Sequence, residues 1–453
     1  MRRSATEDLT IWNKRDKKKP LIVLGARQVG KTYLLKSFGK EHFQKVHTFN
    51  FEENPKLADV FARDLLPERI VRDLSLAIGT TIDVARDLVF FDEVQNAPRA
   101  LTSLKHFHEK MPGLSICCAG SLLGLHLSEG SFPVGYVDFL HLFPLSFSEF
   151  VEARANKLLI DAYHELAVIS GTEEPSDTVH QKLWELWQEY LVVGGLPEVV
   201  ALYLRDEPNS VSTFLRVREL QKKLITSYLA DIAKHSGKVN SLHIERVWHA
   251  VPTQLAHAHN QSSARFAFKD VVPGIHNYSR LAGAIDWLQK AGLILRIPIC
   301  DSAETPIAAY IKENRFKLYM FDVGLLGAML DLPPAALLKY DFGTYKGYFA
   351  ENLVAQELKT SRPLARLFSW VGNKSEVEFL LQGDHGSIPV EVKSASRVRS
   401  QSLKTFVEKY IPEVSIIISG RKCSKIRAKG TSTVKVNIPL YLVPRVWDFI
   451  AQE

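Results

Sequence analysis

The stretch Leu21-Ile-Val-Leu-Gly-Ala-Arg-Gln-Val-Gly-Lys-Thr32 limits what this chain can fold into more than any other. Leu21 to Leu24 is a short apolar run of the kind that forms a buried parallel strand. Gly25 to Thr32 fits G-x-x-x-x-G-K-[ST]. Helical spacing follows, with apolar residues at Leu34, Leu35 and Phe38. Strand, glycine loop and helix therefore stand in the order of a phosphate-binding loop. Gly25 and Gly30 permit the tight turn that brings backbone N–H groups to phosphate oxygens. The helix N-terminus adds partial positive charge at the same place. Lys31 is expected on the β- and γ-phosphates and Thr32 on Mg²⁺.

A second signal lies downstream. Leu88-Val-Phe-Phe-Asp92-Glu93 is an apolar strand that runs into two acids. A buried strand of a parallel sheet ends at the ligand crevice, so both acids are expected there. Asp92 is expected to hold the metal or its water shell. Glu93 is expected to polarise the attacking water as a general base. Ser115 to Ala119 reads as the next strand, and Ser121 just after it as a candidate sensor of the γ-phosphate; a plain strand-ending turn is the competing reading. The expected nucleotide contacts are Gly25, Ala26, Arg27, Gln28, Val29, Gly30, Lys31, Thr32, Tyr33, Asp92 and Ser121, with ATP and Mg²⁺ as cofactors. Strands alternating with helices predict an α/β, doubly wound parallel sheet.

Length and composition bound the rest. At 453 residues the chain exceeds one core, and about three domains are expected. Hydrophobic content of 46% and charged content of 24% are those of an ordinary globular protein. No apolar run is long enough to span a bilayer, and Met1-Arg-Arg-Ser4 leads into no apolar stretch, so neither membrane nor signal peptide is expected. Cys117, Cys118, Cys300 and Cys423 form no disulfide or zinc spacing, which fits a cytoplasmic protein. The net charge of +7 favours an anionic partner. Residues 1–20 read as a basic, solvated lead-in.

The stretches Gly25-Ala-Arg-Gln-Val-Gly-Lys-Thr32, Phe91-Asp-Glu-Val-Gln95, Ala119-Gly-Ser-Leu-Leu-Gly124, Ser131-Phe-Pro-Val-Gly135 and Pro144-Leu-Ser-Phe-Ser-Glu-Phe150 carry a resemblance. They look like the prokaryotic AAA+-type P-loop ATPases that have a C-terminal domain of unknown function, over nearly the whole chain. That family usually has Arg or Lys after Pro-Val-Gly, where this chain has Tyr136. The resemblance implies ATP hydrolysis and self-association into an oligomer.

Beyond the first domain, placed at 1–155, residues 156–209 read as a helical lid and connector. Residues 210–305 read as a winged helix, with Arg280 and Lys290 flanking the helix that would face DNA. Residues 306–453 read as an α/β domain. There Glu351 sits on a helix, Glu378 on a strand, and Glu391 and Lys393 form Glu-x-Lys after a glycine-bearing turn. Alternation puts Glu376 and Glu378 on one face of their strand, and Glu391 and Lys393 on one face of theirs. The set resembles the PD-(D/E)xK nuclease fold, of restriction-endonuclease type. By that resemblance Glu378 and Glu391 would hold a metal, Lys393 would be the catalytic cation, and Glu351 the helix carboxylate. Basic residues from Arg397 to Lys429 fit a phosphate backbone or a solvated face equally well. Two functions follow. One is an ATPase acting on DNA. The other is a nucleotide-dependent switch or scaffold whose nuclease-like domain is inactive and binds an unknown protein partner.

Overall fold

The computed structural model describes residues 1–121, 132–168, 174–257, 265–340, 346–373, 375–383, 386–394, 401–427 and 430–451. The chain forms two compact units, residues 1–143 with 290–292, and residues 144–289 with 293–453.

The first unit is built on five parallel strands: β1 (Leu21–Leu24), β2 (Val46–Asn50), β3 (Leu88–Asp92), β4 (Ser115–Ala119) and β5 (Asp138–His141). Their order is β2-β3-β4-β1-β5. Every residue of β3 and β4 is buried, which is why both read as unbroken apolar runs. β4 lies between β1 and β3, in register Val23 to Ala119 and Phe91 to Cys118. The carboxyl ends of β1, β3 and β4 are therefore neighbours. Helices Lys31–His42, Pro67–Ile78 and Pro98–Lys110 connect the strands. Phe91 packs its ring 6.0 Å from Phe49 and 5.7 Å from both Phe51 and Phe61, fixing β3 from below the site.

The expected solvated lead-in is instead a packed helix, Ala5–Asn13. Ala5, Leu9 and Trp12 are buried on one helical face. Trp12 donates its indole N–H to Lys19 O at 2.8 Å, which ties the helix to the residues before β1. The sequence signal for it is the apolar stripe Ala5, Leu9 and Trp12 at i, i+4, i+7, just ahead of the lysine run.

The second unit starts with helices, among them Phe147–Arg154, Asp177–Val193 and the long Val211–Ser236. Helices Lys238–His257 and Tyr278–Lys290 lead into an antiparallel hairpin of β6 (Ile294–Cys300) and β7 (Ile311–Met320). The expected boundary between 305 and 306 falls in the loop of this hairpin. The hairpin joins a larger sheet. Its other strands are β8 (Leu367–Val371), β9 (Glu376–Gly383), β10 (Gly386–Val392), β11 (Val414–Ser419), β12 (Ser424–Arg427) and β13 (Val434–Pro439). The order is β12-β13-β11-β10-β9-β8-β6-β7. β8 and β9 are two antiparallel strands turned at Gly372, whose N–H donates to Ser375 O at 2.8 Å. Helix Gln401–Tyr410 lies between β10 and its parallel neighbour β11, as a parallel pair requires of its connection.

Alternation in β9 holds at its start: Val377 is buried, while Glu376 and Glu378 are half-buried. Further along, Leu380 and Leu381 are both buried, because the strand is covered on two faces there. In β10, Val390, Glu391 and Val392 are all buried.

Candidate functional site

The loop between β1 and helix Lys31–His42 is held in left-handed backbone conformations. Gly25 has φ +154°, Gln28 +63° and Gly30 +93°. A Cβ on Gly25 would sit 2.1 Å from Leu142 O, so glycine is required there on both counts. Lys31, only 7% exposed, donates its ammonium to Gly25 O at 2.9 Å and Ala26 O at 2.7 Å. Burial lowers its pKa to about 8, against the raising pull of Glu93 and Asp92. Ala26 and Val29 are buried, while Tyr33 is 67% exposed.

Asp92 ends β3 directly opposite. Thr32 Oγ1 lies 3.1 and 3.2 Å from the two Asp92 carboxylate oxygens and donates to them. Burial raises the Asp92 pKa, with the Thr32 hydrogen bond acting against it. Glu93 turns the chain at φ +50°, an unusual backbone for glutamate and one found at functional sites. Its Oε2 accepts from Gln95 Nε2 at 2.6 Å and from the Ser121 N–H and hydroxyl at 3.3 Å each. Arg27 Nε donates to Ser121 Oγ at 3.0 Å. The glycine loop, the acidic pair and the residue after β4 thus form one continuous set of contacts. Thr32 and Asp92 present converging hydroxyl and carboxylate oxygens, the hard donors that suit Mg²⁺. Tyr136, where the resembling family has a cation, carries Lys105 Nζ 5.0 Å above its ring.

The second unit brings together Glu351, Glu378, Glu391 and Lys393. Glu378 Oε2 accepts from Val392 N–H at 3.2 Å, and Lys393 pairs with Glu391 Oε1. Tyr319 donates to Glu351 Oε2 at 3.2 Å. Sequence reasoning missed Lys317, on β7, which is 2% exposed. Its ammonium lies 2.5 Å from Glu376 Oε1 and 3.8 Å from Glu351 Oε2. Burial, joined by Glu391 and Glu351, holds Glu378 well above the carboxylate range, and burial raises Glu351 too. Burial alone would lower Lys317 and Lys393, but the surrounding acids outweigh it and raise both. Glu391 Oε2 is buried without a hydrogen-bond partner. Among the described residues no three His, Cys, Asp or Glu side chains are grouped to hold a metal ion. As they stand, these carboxylates do not fit a divalent cation.

Arg280 and Lys290 are exposed at the ends of their helix. Of the basic tail, Lys425 and Arg427 lie on the exposed edge strand β12, Lys404 pairs with Glu408 at 3.7 Å, and Lys422 pairs with Asp177 at 2.6 Å. Arg397, Arg399, Lys429, Leu122 to Gly124 and Ser131 lie outside the described residues.

Residues 17–151 match a family model described as an AAA domain. This segment is an AAA-type P-loop domain. Two further models, described as domains of unknown function (DUF8612 and DUF4143), match residues 184–336 and 346–441. No curated protein matches the chain. Among solved structures, it is similar to the Walker-type ATPase Paby2304 of Pyrococcus abyssi, with 17% identity, 73% of this chain and 95% of that one covered, and a TM-score of 0.44. It is also similar to the ORC1 protein of Aeropyrum pernix in complex with DNA, with 14% identity, 74% and 92% covered, and a TM-score of 0.28. RuvB of Thermotoga maritima gives 14% identity, 65% and 86% covered, and a TM-score of 0.30. No helix among the described residues is long and apolar enough to cross a membrane.

Arg3, in the first unit, is a residue that motif reading does not find. It is 6% exposed and donates to Val29 O, inside the phosphate loop, at 2.9 Å and to Phe143 O at 2.6 Å. A buried guanidinium on two carbonyls braces the loop from behind. The apolar stripe of the helix that follows it was the available signal.

Proposed function

We propose that the protein is an ATP-binding and ATP-hydrolysing AAA-type ATPase. The observation that carries this reading is Thr32 against Asp92, with Glu93 and Ser121 beside them. Thr32 and Asp92 would hold Mg²⁺, which when bound draws charge from the β- and γ-phosphates. Lys31 would exchange the Gly25 and Ala26 carbonyls for phosphate oxygens, and the N–H groups of the loop would cradle the rest. Glu93 is the general base for water, held by Ser121 and Gln95 until the phosphates arrive. Ser121, tied to both Glu93 and Arg27, reports the γ-phosphate to the base. The test is phosphate release and nucleotide binding by Lys31→Ala. Loss of both is expected; retention of both would sink the assignment.

We further propose that nucleotide state is coupled to the second unit, which acts on DNA in the cytoplasm. It would do so through a winged helix at 210–305 and a nuclease-like module at 306–453, with the P-loop domain at 1–155 and a lid at 156–209. Support comes from the helices running into the β6–β7 hairpin, the exposed Arg280 and Lys290, and the gathering of Glu351, Glu378, Glu391 and Lys393. Stimulation of ATP turnover by DNA, falling steeply with salt, is the expected result. A specific observation favours a second reading, in which the module binds a protein partner and does not cleave: Lys317 lies among its carboxylates. DNA without effect on ATP turnover would favour that reading.

A further inference from the structure

We infer that Lys317 is the resident cation of the carboxylate cluster, and that the cluster takes no metal while Lys317 is there. The inference deepens the nuclease-like reading of residues 306–453 and rests on it only for its consequence, the absence of metal-dependent cutting.

The geometry carries it. Four carboxylates, Glu351, Glu376, Glu378 and Glu391, are gathered from one helix and two adjacent strands. Lys317 does not belong to those elements. It comes from β7, the far strand of the hairpin, and places its ammonium between Glu376 and Glu351. An ammonium left only 2% exposed is tolerated when carboxylates surround it, and its site is dry enough for that pairing to be strong.

One oxygen of each carboxylate is also taken. A divalent cation bound by carboxylates needs several oxygens free to turn toward it. Here Glu376 Oε1 and Glu351 Oε2 face Lys317, Tyr319 also donates to Glu351, Val392 N–H occupies Glu378 Oε2, and Lys393 occupies Glu391 Oε1. One buried oxygen, Glu391 Oε2, is uncommitted. Among the described residues no three carboxylates are arranged to hold a metal ion.

The test is Mn²⁺ binding to the full chain without nucleotide, by calorimetry and electron paramagnetic resonance, for wild type, Glu391→Gln and Lys317→Gln. Wild type and Glu391→Gln should bind Mn²⁺ identically. Lys317→Gln should gain a site at least about tenfold tighter than any wild-type binding there, lost again when Glu391→Gln is added. A Glu391-dependent Mn²⁺ site in the wild type would overturn the inference, as would a folded Lys317→Gln protein that gains none. Should Lys317→Gln not fold, the comparison of wild type with Glu391→Gln decides alone. ATP turnover by the wild type is read in parallel, so failure of the P-loop reading would show separately.

Discussion

The hydroxyl of Thr32 lies within hydrogen-bond distance of both carboxylate oxygens of Asp92, at 3.1 and 3.2 Å. One residue opens the helix after the glycine loop, and the other closes a strand two places away in the sheet. Their meeting turns two sequence motifs into one site. Thr32→Ala should therefore lower ATP turnover by about 10²-fold or more, because the proposed metal ligand and the orientation of Asp92 go together. Steady-state phosphate release with Mg²⁺ titration checks this, and the variant should need more Mg²⁺ for half-maximal rate.

Glu93 lies beside the loop without touching Lys31 directly. Glu93→Gln should lower kcat by about 10²- to 10⁴-fold while ATP binding persists, the pattern of a lost general base. Equal losses of binding and turnover, measured with a fluorescent nucleotide, would instead make Glu93 a structural residue of the loop.

Gly25→Ala should abolish nucleotide binding. The added methyl would lie 2.1 Å from a backbone oxygen that has no freedom to withdraw, and alanine disfavours φ +154°. Circular dichroism should show the fold retained. Tight ATP binding by a folded Gly25→Ala protein would show the loop to be more plastic than its contacts indicate.

Arg3→Ala removes the charge-assisted hydrogen bonds to Val29 O and Phe143 O. A loss of about 1.5–3 kcal/mol per charged hydrogen bond is the expected scale, read in urea unfolding of the full chain. ATP affinity should fall too, since Val29 belongs to the phosphate loop.

In the second unit Glu357 is fully buried; its Oε2 accepts from Phe147 N–H at 3.1 Å and its Oε1 lies 3.0 Å from the Tyr190 hydroxyl. The Tyr190 hydroxyl, within donating reach of Leu145 O at 2.5 Å and of Glu357 Oε1, accepts in turn from Gln356 Nε2 at 2.8 Å. Burial raises Glu357 to about 8 and the nearby buried Asp322 to about 6. Both folded pKa values lie above their unfolded ones. Their contribution is therefore complete below the ordinary carboxylate range and is lost as pH rises through about 6 and then about 8. Denaturation midpoints should fall between pH 5 and 8.5, and Glu357→Gln should flatten the upper part of that slope.

Much of the P-loop site was legible because its residues are bound to local backbone demands. Gly25, Gly30, Lys31 and Thr32 are fixed by one turn, and Asp92 and Glu93 by the end of one buried strand. Lys317 was not legible. In sequence it is one basic residue in Arg315-Phe-Lys-Leu-Tyr-Met320, and strand alternation says which face it takes but not what that face meets. Glu376 was placed on the correct face of β9 for the same reason, yet its partner was invisible. Arg3 was hidden in a basic lead-in whose apolar stripe is short.

The sequence by itself determined the phosphate loop, the acidic strand end and the alternation that turns Glu376 and Glu378 to one side of β9, since each follows from backbone geometry over a few residues. Only the tertiary structure decided which strand lies beside which, and with it the contacts of Thr32 with Asp92, of Ser121 with Glu93, and of Lys317 with Glu376. Those pairs come from distant parts of the chain, and sheet order and burial, which no local pattern encodes, bring their charges together.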